Sequence, residues 1–144
     1  SSFQKIYRNG RLWRMTTIIV TGSRDWTDGA TIKKVVAALV QEFSTDIHIV
    51  HGAAKGADKH FAWYAYKHGI PTENIHAYPA DWKQHGNAAG MIRNREMLDK
   101  YPDADLVVAF PLLTSIGTCG MINEARKRGF TIRIYDVNGE LVKS

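Results

Sequence analysis

Residues 47–60 read IHIVHGAAKGADKH, and the fold of the whole chain turns on how this stretch is parsed. A short apolar run, Ile47 to Val50, ends in a loop that carries Gly52 and Gly56, and a helix-forming segment follows at once. Glycines in such a loop permit positive φ and let the backbone come close to a ligand. The free amides that open the next helix, together with its dipole, attract an anion. The segment therefore reads as strand, phosphate-cradling loop, helix. Its spacing is neither the dinucleotide fingerprint G-x-G-x-x-G nor the P-loop, because Lys55 precedes the second glycine instead of following it.

The same pattern recurs on both sides. TIIVT (17–21) is a continuous β-branched run, as expected of a strand covered on both faces. After the loop GSRDWTD, Asp28 is placed to cap a helix whose apolar positions Ile32, Val35, Val36, Leu39, Val40 and Phe43 recur at helical spacing. Residues 57–68 form the second helix, closed by Gly69 with Pro71 beyond. NIHAYP (74–79) is a third strand and ADWKQHGN a loop, followed by a helix over 88–100, a strand over 105–110 and a helix from Thr118 to about Arg128. TIRIYD (131–136) is a fifth strand, which Asn138-Gly139 turns into a short terminal partner, ELVK. Strands alternating with helices imply crossover connections, a mainly parallel sheet and a C-terminal hairpin.

A chain of 144 residues with 44% apolar content is one domain with a substantial core. One cysteine, Cys119, excludes a disulfide scaffold and a cysteine-based zinc site. No apolar run approaches a membrane span and no signal-peptide pattern is present, so a cytoplasmic location is expected. The net charge of +5 is unevenly placed. Residues 1–14 hold Lys5, Arg8, Arg11 and Arg14 and no acid, so the remainder is near neutral and offers little electrostatic case for a DNA-binding surface. Those residues read as a basic leader, an added extension or a native arm, before a domain over 15–144. Asn9-Gly10 between Ile6-Tyr7-Arg8 and Arg11-Leu12-Trp13 is a hairpin signal within it.

Ligands of open α/β sheets bind beyond the carboxyl ends of the strands. Three glycine-bearing turns fall there: Gly22-Ser23-Arg24, Gly52 to Gly56, and Gly117-Thr118. Each suits an ordinary strand-to-helix turn. All three on one edge, beside Arg24 and Lys55, favour a phosphate-bearing ligand.

GSR after the first strand, G-x-A-x-G-x-D at Gly52 to Asp58, Arg93-Asn94 with Met97, and Gly117-Thr118 occur in that order. Together they resemble the SLOG superfamily of Rossmann-like domains, which includes the DNA-processing protein A family, the "lonely guy" phosphoribohydrolases and the molybdenum-cofactor carriers; the small YspA-like branch is most similar. The resemblance implies a three-layer Rossmann-like fold and a nucleotide or nucleotide-derived ligand, held as by a sensor or sequestering protein. It places Gly22, Ser23, Arg24, Gly52, Lys55, Gly56, Asp58, Trp82, Arg93, Asn94, Gly117 and Thr118 at the site. Arginine such as Arg93 holds phosphate as a fork. Asp58 either accepts hydrogen bonds from a ribose or stabilises the first turn of its helix.

Two other functions follow from the resemblance. One is N-glycosidic hydrolysis of nucleoside monophosphates, with Glu124 or Asp58 as the catalytic acid. The phosphoribohydrolases read PGGxGTxxE; here LLTSI separates Pro111 from Gly117 and Met121 takes the glutamate position. The other is single-stranded nucleic-acid binding, because Arg93-Asn94-Arg95 repeats a motif of the DNA-processing branch. The neutral body weighs against it.

A homo-oligomer, most simply a two-fold dimer, is also implied. Trp26 and Trp82 are candidates for stacking on a base or for filling the core or a subunit contact. His51 reads as a satisfied structural histidine or a proton-transfer group. Met91, Met97 and Leu98 read as core or dimer surface. The remaining histidines have no metal-site spacing, Cys119 has no partner base fixed by the sequence, and no cofactor is implied.

Overall fold

The computed structural model describes residues 6–8, 11–13 and 15–142. Near the N-terminus, β1 (Ile6–Arg8) and β2 (Arg11–Trp13) pair antiparallel, with Ile6 opposite Trp13. The Asn9-Gly10 turn lies outside the described residues.

The domain alternates strand and helix. Its elements are β3 (Thr16–Gly22), α1 (Gly29–Phe43), β4 (Ile47–His51), α2 (Ala57–Lys67), β5 (Ile75–Ala77), α3 (Trp82–His85), α4 (Ala89–Lys100), β6 (Leu106–Phe110), α5 (Ile116–Lys127), β7 (Ile132–Tyr135) and β8 (Leu141–Val142). The six-stranded sheet has the order β5-β4-β3-β6-β7-β8. Every pairing is parallel except that of β7 with β8, the terminal hairpin.

The continuous apolar strands have a direct physical cause. Ile18 and Val20 pack under α1 and α2, with Ile32, Val36, Leu39 and Phe61, while Ile19 points to the other face, where Val107, Met97, Leu98 and Met121 lie under α4 and α5. Both faces of the sheet are thus dry, and the central run of β3, Ile18 to Val20, is apolar throughout. Helix α1 starts where Asp28 predicts, its carboxylate accepting from the Thr31 N–H at 3.2 Å.

Two local expectations change, and the open alternative for Trp26 is decided. The segment read as the loop ADWKQHGN contains α3, capped by Asp81, which accepts from the Gln84 N–H at 3.0 Å, and then a 3-10 turn over Gly86–Ala88. Helix α5 begins at Ile116, two residues before Thr118. Trp26 belongs to the core: it is 3% exposed, edge-on to Phe110, and its indole N–H donates to the Asp28 carbonyl at 2.9 Å. No helix among the described residues is long and apolar enough to cross a membrane.

Candidate functional site

The chain runs outward from β3 through β4 to β5, then returns across β3 to β6 and β7. The loops after β3 and β6 therefore leave the sheet in opposite directions, and a crevice opens where they part. A cleft of about 680 Å³ occupies this position, within the range of about 300–1,000 Å³ usual for small-molecule sites. The loops after β3, β4, β5 and β6 all contribute to its walls.

Of the residues expected at the site, Gly22, Ser23, Arg24, Gly52, Lys55, Asp58, Trp82, Arg93, Asn94, Gly117 and Thr118 all line this cleft. Gly56 and Glu124 do not. Gly56 lies beneath the loop at φ +82°, where an added Cβ would stand 2.5 Å from the carbonyl oxygens of Ser23 and Arg24. Its role is to let the β4–α2 loop lie against the β3–α1 loop. Glu124 is engaged one helical turn on by Arg128, at 3.2 Å.

The first three amides of the β4–α2 loop are engaged within the protein. Asp58 is 4% exposed, and its Oδ2 accepts from the Gly52 N–H at 3.0 Å and the Ala54 N–H at 3.4 Å. The Ala53 N–H donates to His51 Nδ1 at 3.0 Å and the Ala57 N–H to the Ser23 carbonyl at 3.0 Å. Ala53 is held at φ 55°, a left-handed conformation that costs a residue with a Cβ about 1 kcal/mol. The amides of Gly52, Ala53 and Ala54 are thus already used within the protein, whereas those of Lys55 and Gly56 meet no acceptor among the described residues.

Two buried groups follow from this arrangement. Asp58 Oδ1 meets no donor among the described residues, and burial raises the carboxyl to about 6, against an opposing pull from Arg93. His51 is held neutral, with burial and the Arg93 charge lowering it to about 4, which suits an Nδ1 that accepts a hydrogen bond. It fits the structural reading. Arg93 bridges elements: Nη1 donates to the Gly52 carbonyl and, at 3.3 Å, to that of Tyr78, while Nε donates to Asn94 Oδ1 at 2.9 Å. Its fork thus secures two loops.

The β6–α5 turn is different. Helix α5 has no side-chain cap and no acid in its first turn, since Ser115 Oγ accepts instead from the Leu112 N–H at 2.9 Å. The amides of Gly117 and Thr118 meet no protein acceptor among the described residues. Across the cleft Trp82 is 52% exposed, with the Arg24 guanidinium 6.0 Å from its ring centre. Met91 and Met97, read from the sequence as core or dimer surface, also line the cleft, as does the exposed Ile116. Helical spacing alone does not reveal which end of α4 reaches the rim.

These features define a doubly wound α/β domain with a cleft at the carboxyl ends of its strands. A family model described as "YAcAr: YspA, cpYpsA-related SLOG family" matches residues 16–85, from β3 to the end of α3. The Gene 61 protein of Mycobacterium phage D29 is 37% identical over 122 residues, covering 82% of this chain and 94% of that protein. The chain belongs to the SLOG superfamily, in this YspA-related family. Among solved structures, DNA processing protein A of Streptococcus pneumoniae matches with a TM-score of 0.61 at 17% identity, covering 85% of this chain. That match reports a shared fold; this chain spans 50% of the other protein.

Proposed function

We propose that the cleft binds a nucleotide or nucleotide-derived ligand, with its phosphate at the N-terminus of α5 and its base toward Trp82. The observation that carries this reading is the contrast among the helices opening at the rim. Helices α1, α2 and α3 each have an aspartate at their start, Asp28, Asp58 and Asp81, which already balances the dipole. Helix α5 has none; α4 lacks one too but continues directly from the 3-10 turn over Gly86–Ala88, whereas the Gly117 and Thr118 amides of α5 meet no protein acceptor among the described residues. An anion there gains two backbone donors, the Thr118 hydroxyl and the positive end of a 12-residue helix. Arg24 and Lys55, on the same cleft, add positive charge.

Binding without hydrolysis is the reading the geometry favours. Glu124 is outside the cleft, and Asp58, which lines it together with Asp25, already holds two loop amides and has its free oxygen buried. Calorimetric titration with a nucleoside 5′-monophosphate, the matching nucleoside and inorganic phosphate tests the proposal. The monophosphate is expected to bind well above the nucleoside, and Thr118→Val to weaken it at least tenfold, the loss of one hydrogen bond to a charged group. Equal affinity for nucleoside and monophosphate would refute the phosphate site. Release of free base on prolonged incubation would replace binding with hydrolysis.

A further inference from the structure

We infer that Arg24 and Trp82 are the two walls of a base slot, which takes a purine between the guanidinium and the indole. The inference rests on the nucleotide reading of the cleft and adds the class of base that the site selects. Arg24 stands on the loop after β3 and Trp82 opens α3 after β5, so the walls come from separate connections. Both side chains are exposed. Arg128 is held by Asp99 and Glu124, and Arg133 by Glu42, but no carboxylate among the described residues pairs with Arg24. Its guanidinium lies over the Trp82 ring instead, 6.0 Å from the ring centre.

That separation decides between a closed contact and a slot. Groups in direct face contact sit about 3.5–4 Å apart, and groups with one flat ring between them about 7 Å. At 6.0 Å the pair is too wide for the first and within about 1 Å of the second. The backbone behind each wall is pinned. The Ser23 carbonyl accepts from the Trp26 and Ala57 amides at 3.3 and 3.0 Å, and the Ser23 N–H donates to the Phe110 carbonyl at 3.0 Å. Asp81 caps α3, and the edge of the Trp82 ring rests near Gly90, where an added Cβ would stand 3.7 Å from Cη2. The remaining opening is therefore a rotation of the exposed Arg24 side chain. A cation on one face and an indole on the other both gain from a broad, electron-rich ring system, so a two-ring purine is favoured over a pyrimidine.

Calorimetric titration of the whole chain with adenosine 5′-monophosphate, uridine 5′-monophosphate and ribose 5-phosphate separates the slot from the phosphate site. The adenosine nucleotide is expected to bind several-fold more tightly than the uridine nucleotide. Arg24→Gln should weaken the adenosine nucleotide about tenfold, and ribose 5-phosphate no more than about twofold, the share of its screened long-range charge. Arg24→Lys should recover only part of the loss, because an ammonium keeps the charge without the flat face. In a Trp82→Ala background, Arg24→Gln should cost less than in the parent, since both walls act on one ring. Each variant should keep the parent melting temperature, which separates a lost wall from a lost fold.

Equal weakening of ribose 5-phosphate and the adenosine nucleotide by Arg24→Gln would overturn the slot and put the guanidinium on the phosphate. Full recovery in Arg24→Lys, additive losses in the double variant, or equal affinity for the two nucleotides would overturn it as well. Ribose 5-phosphate that binds while Arg24→Gln leaves the adenosine nucleotide unchanged would remove the slot alone. Binding of none of the three ligands would remove the nucleotide reading, and the slot with it.

Discussion

Replacing Asp58 by asparagine removes a buried charge while keeping the shape, and the outcome depends on pH in a way that the structure specifies. The Asp58 carboxyl has an ordinary value of 3.8 and is raised to about 6 in the fold, first by burial. Below 3.8 both folded and unfolded chains carry the proton. Between 3.8 and about 6 the unfolded chain releases it and the folded chain keeps it, so stability falls as pH rises. The full loss is about 3 kcal/mol, reached above pH 6 and constant thereafter.

His51 works in the opposite direction. It is lowered from 6.5 to about 4, so the unfolded chain binds the extra proton in that window and stability rises with pH. His48, also lowered to about 4 by burial and by His76, adds to that rise. The parent protein therefore shows a blunted curve, and only the difference from Asp58→Asn isolates the carboxyl. Asparagine can still accept from the Gly52 and Ala54 amides through its carbonyl oxygen. Urea denaturation at intervals from pH 4 to 8 should show the variant matching the parent near pH 4 and exceeding it by up to about 3 kcal/mol at pH 8. A variant that is less stable than the parent at pH 8 would refute the reasoning. It would mean that the charged hydrogen bonds to the loop outweigh the cost of burying the charge.

Other substitutions probe the loops around the cleft. Gly56→Ala should destabilise by more than about 2 kcal/mol in a thermal melt, because positive φ and two backbone carbonyls 2.5 Å from the new Cβ act together. Arg93→Lys keeps the charge but cannot span Gly52, Tyr78 and Asn94 at once; a loss of about 1–3 kcal/mol in urea denaturation is expected. Trp82→Ala, at an exposed position, should leave the melting temperature within a degree or two, yet weaken mononucleotide binding about tenfold by calorimetry.

The order of elements was legible because strands buried on both faces carry continuous apolar runs, as Ile18, Ile19 and Val20 illustrate, and because Asp28 marks a helix start within its own neighbourhood. Helix α3 escaped because one turn is too short for periodicity, although Asp81 was its signal. Trp26 could not be assigned because its partner, Phe110, is distant in sequence. Most of the cleft was legible from glycines and cations at strand ends. Which amides stay free was not, since that depends on contacts between side chain and backbone. The aspartate of G-x-A-x-G-x-D turns back to take Gly52 and Ala54, and Arg93 reaches Gly52 from another helix. Spacing cannot show the direction in which a carboxylate turns.

Amide chemical shifts of the isotope-labelled protein, followed while a nucleoside 5′-monophosphate is added, test the central claim most directly. The account predicts that the largest changes fall on the Gly117 and Thr118 amides and on the Trp82 indole, with Gly52 and Ala54 little moved. Changes concentrated on Gly52 to Ala54, with Gly117 and Thr118 unmoved, would contradict it.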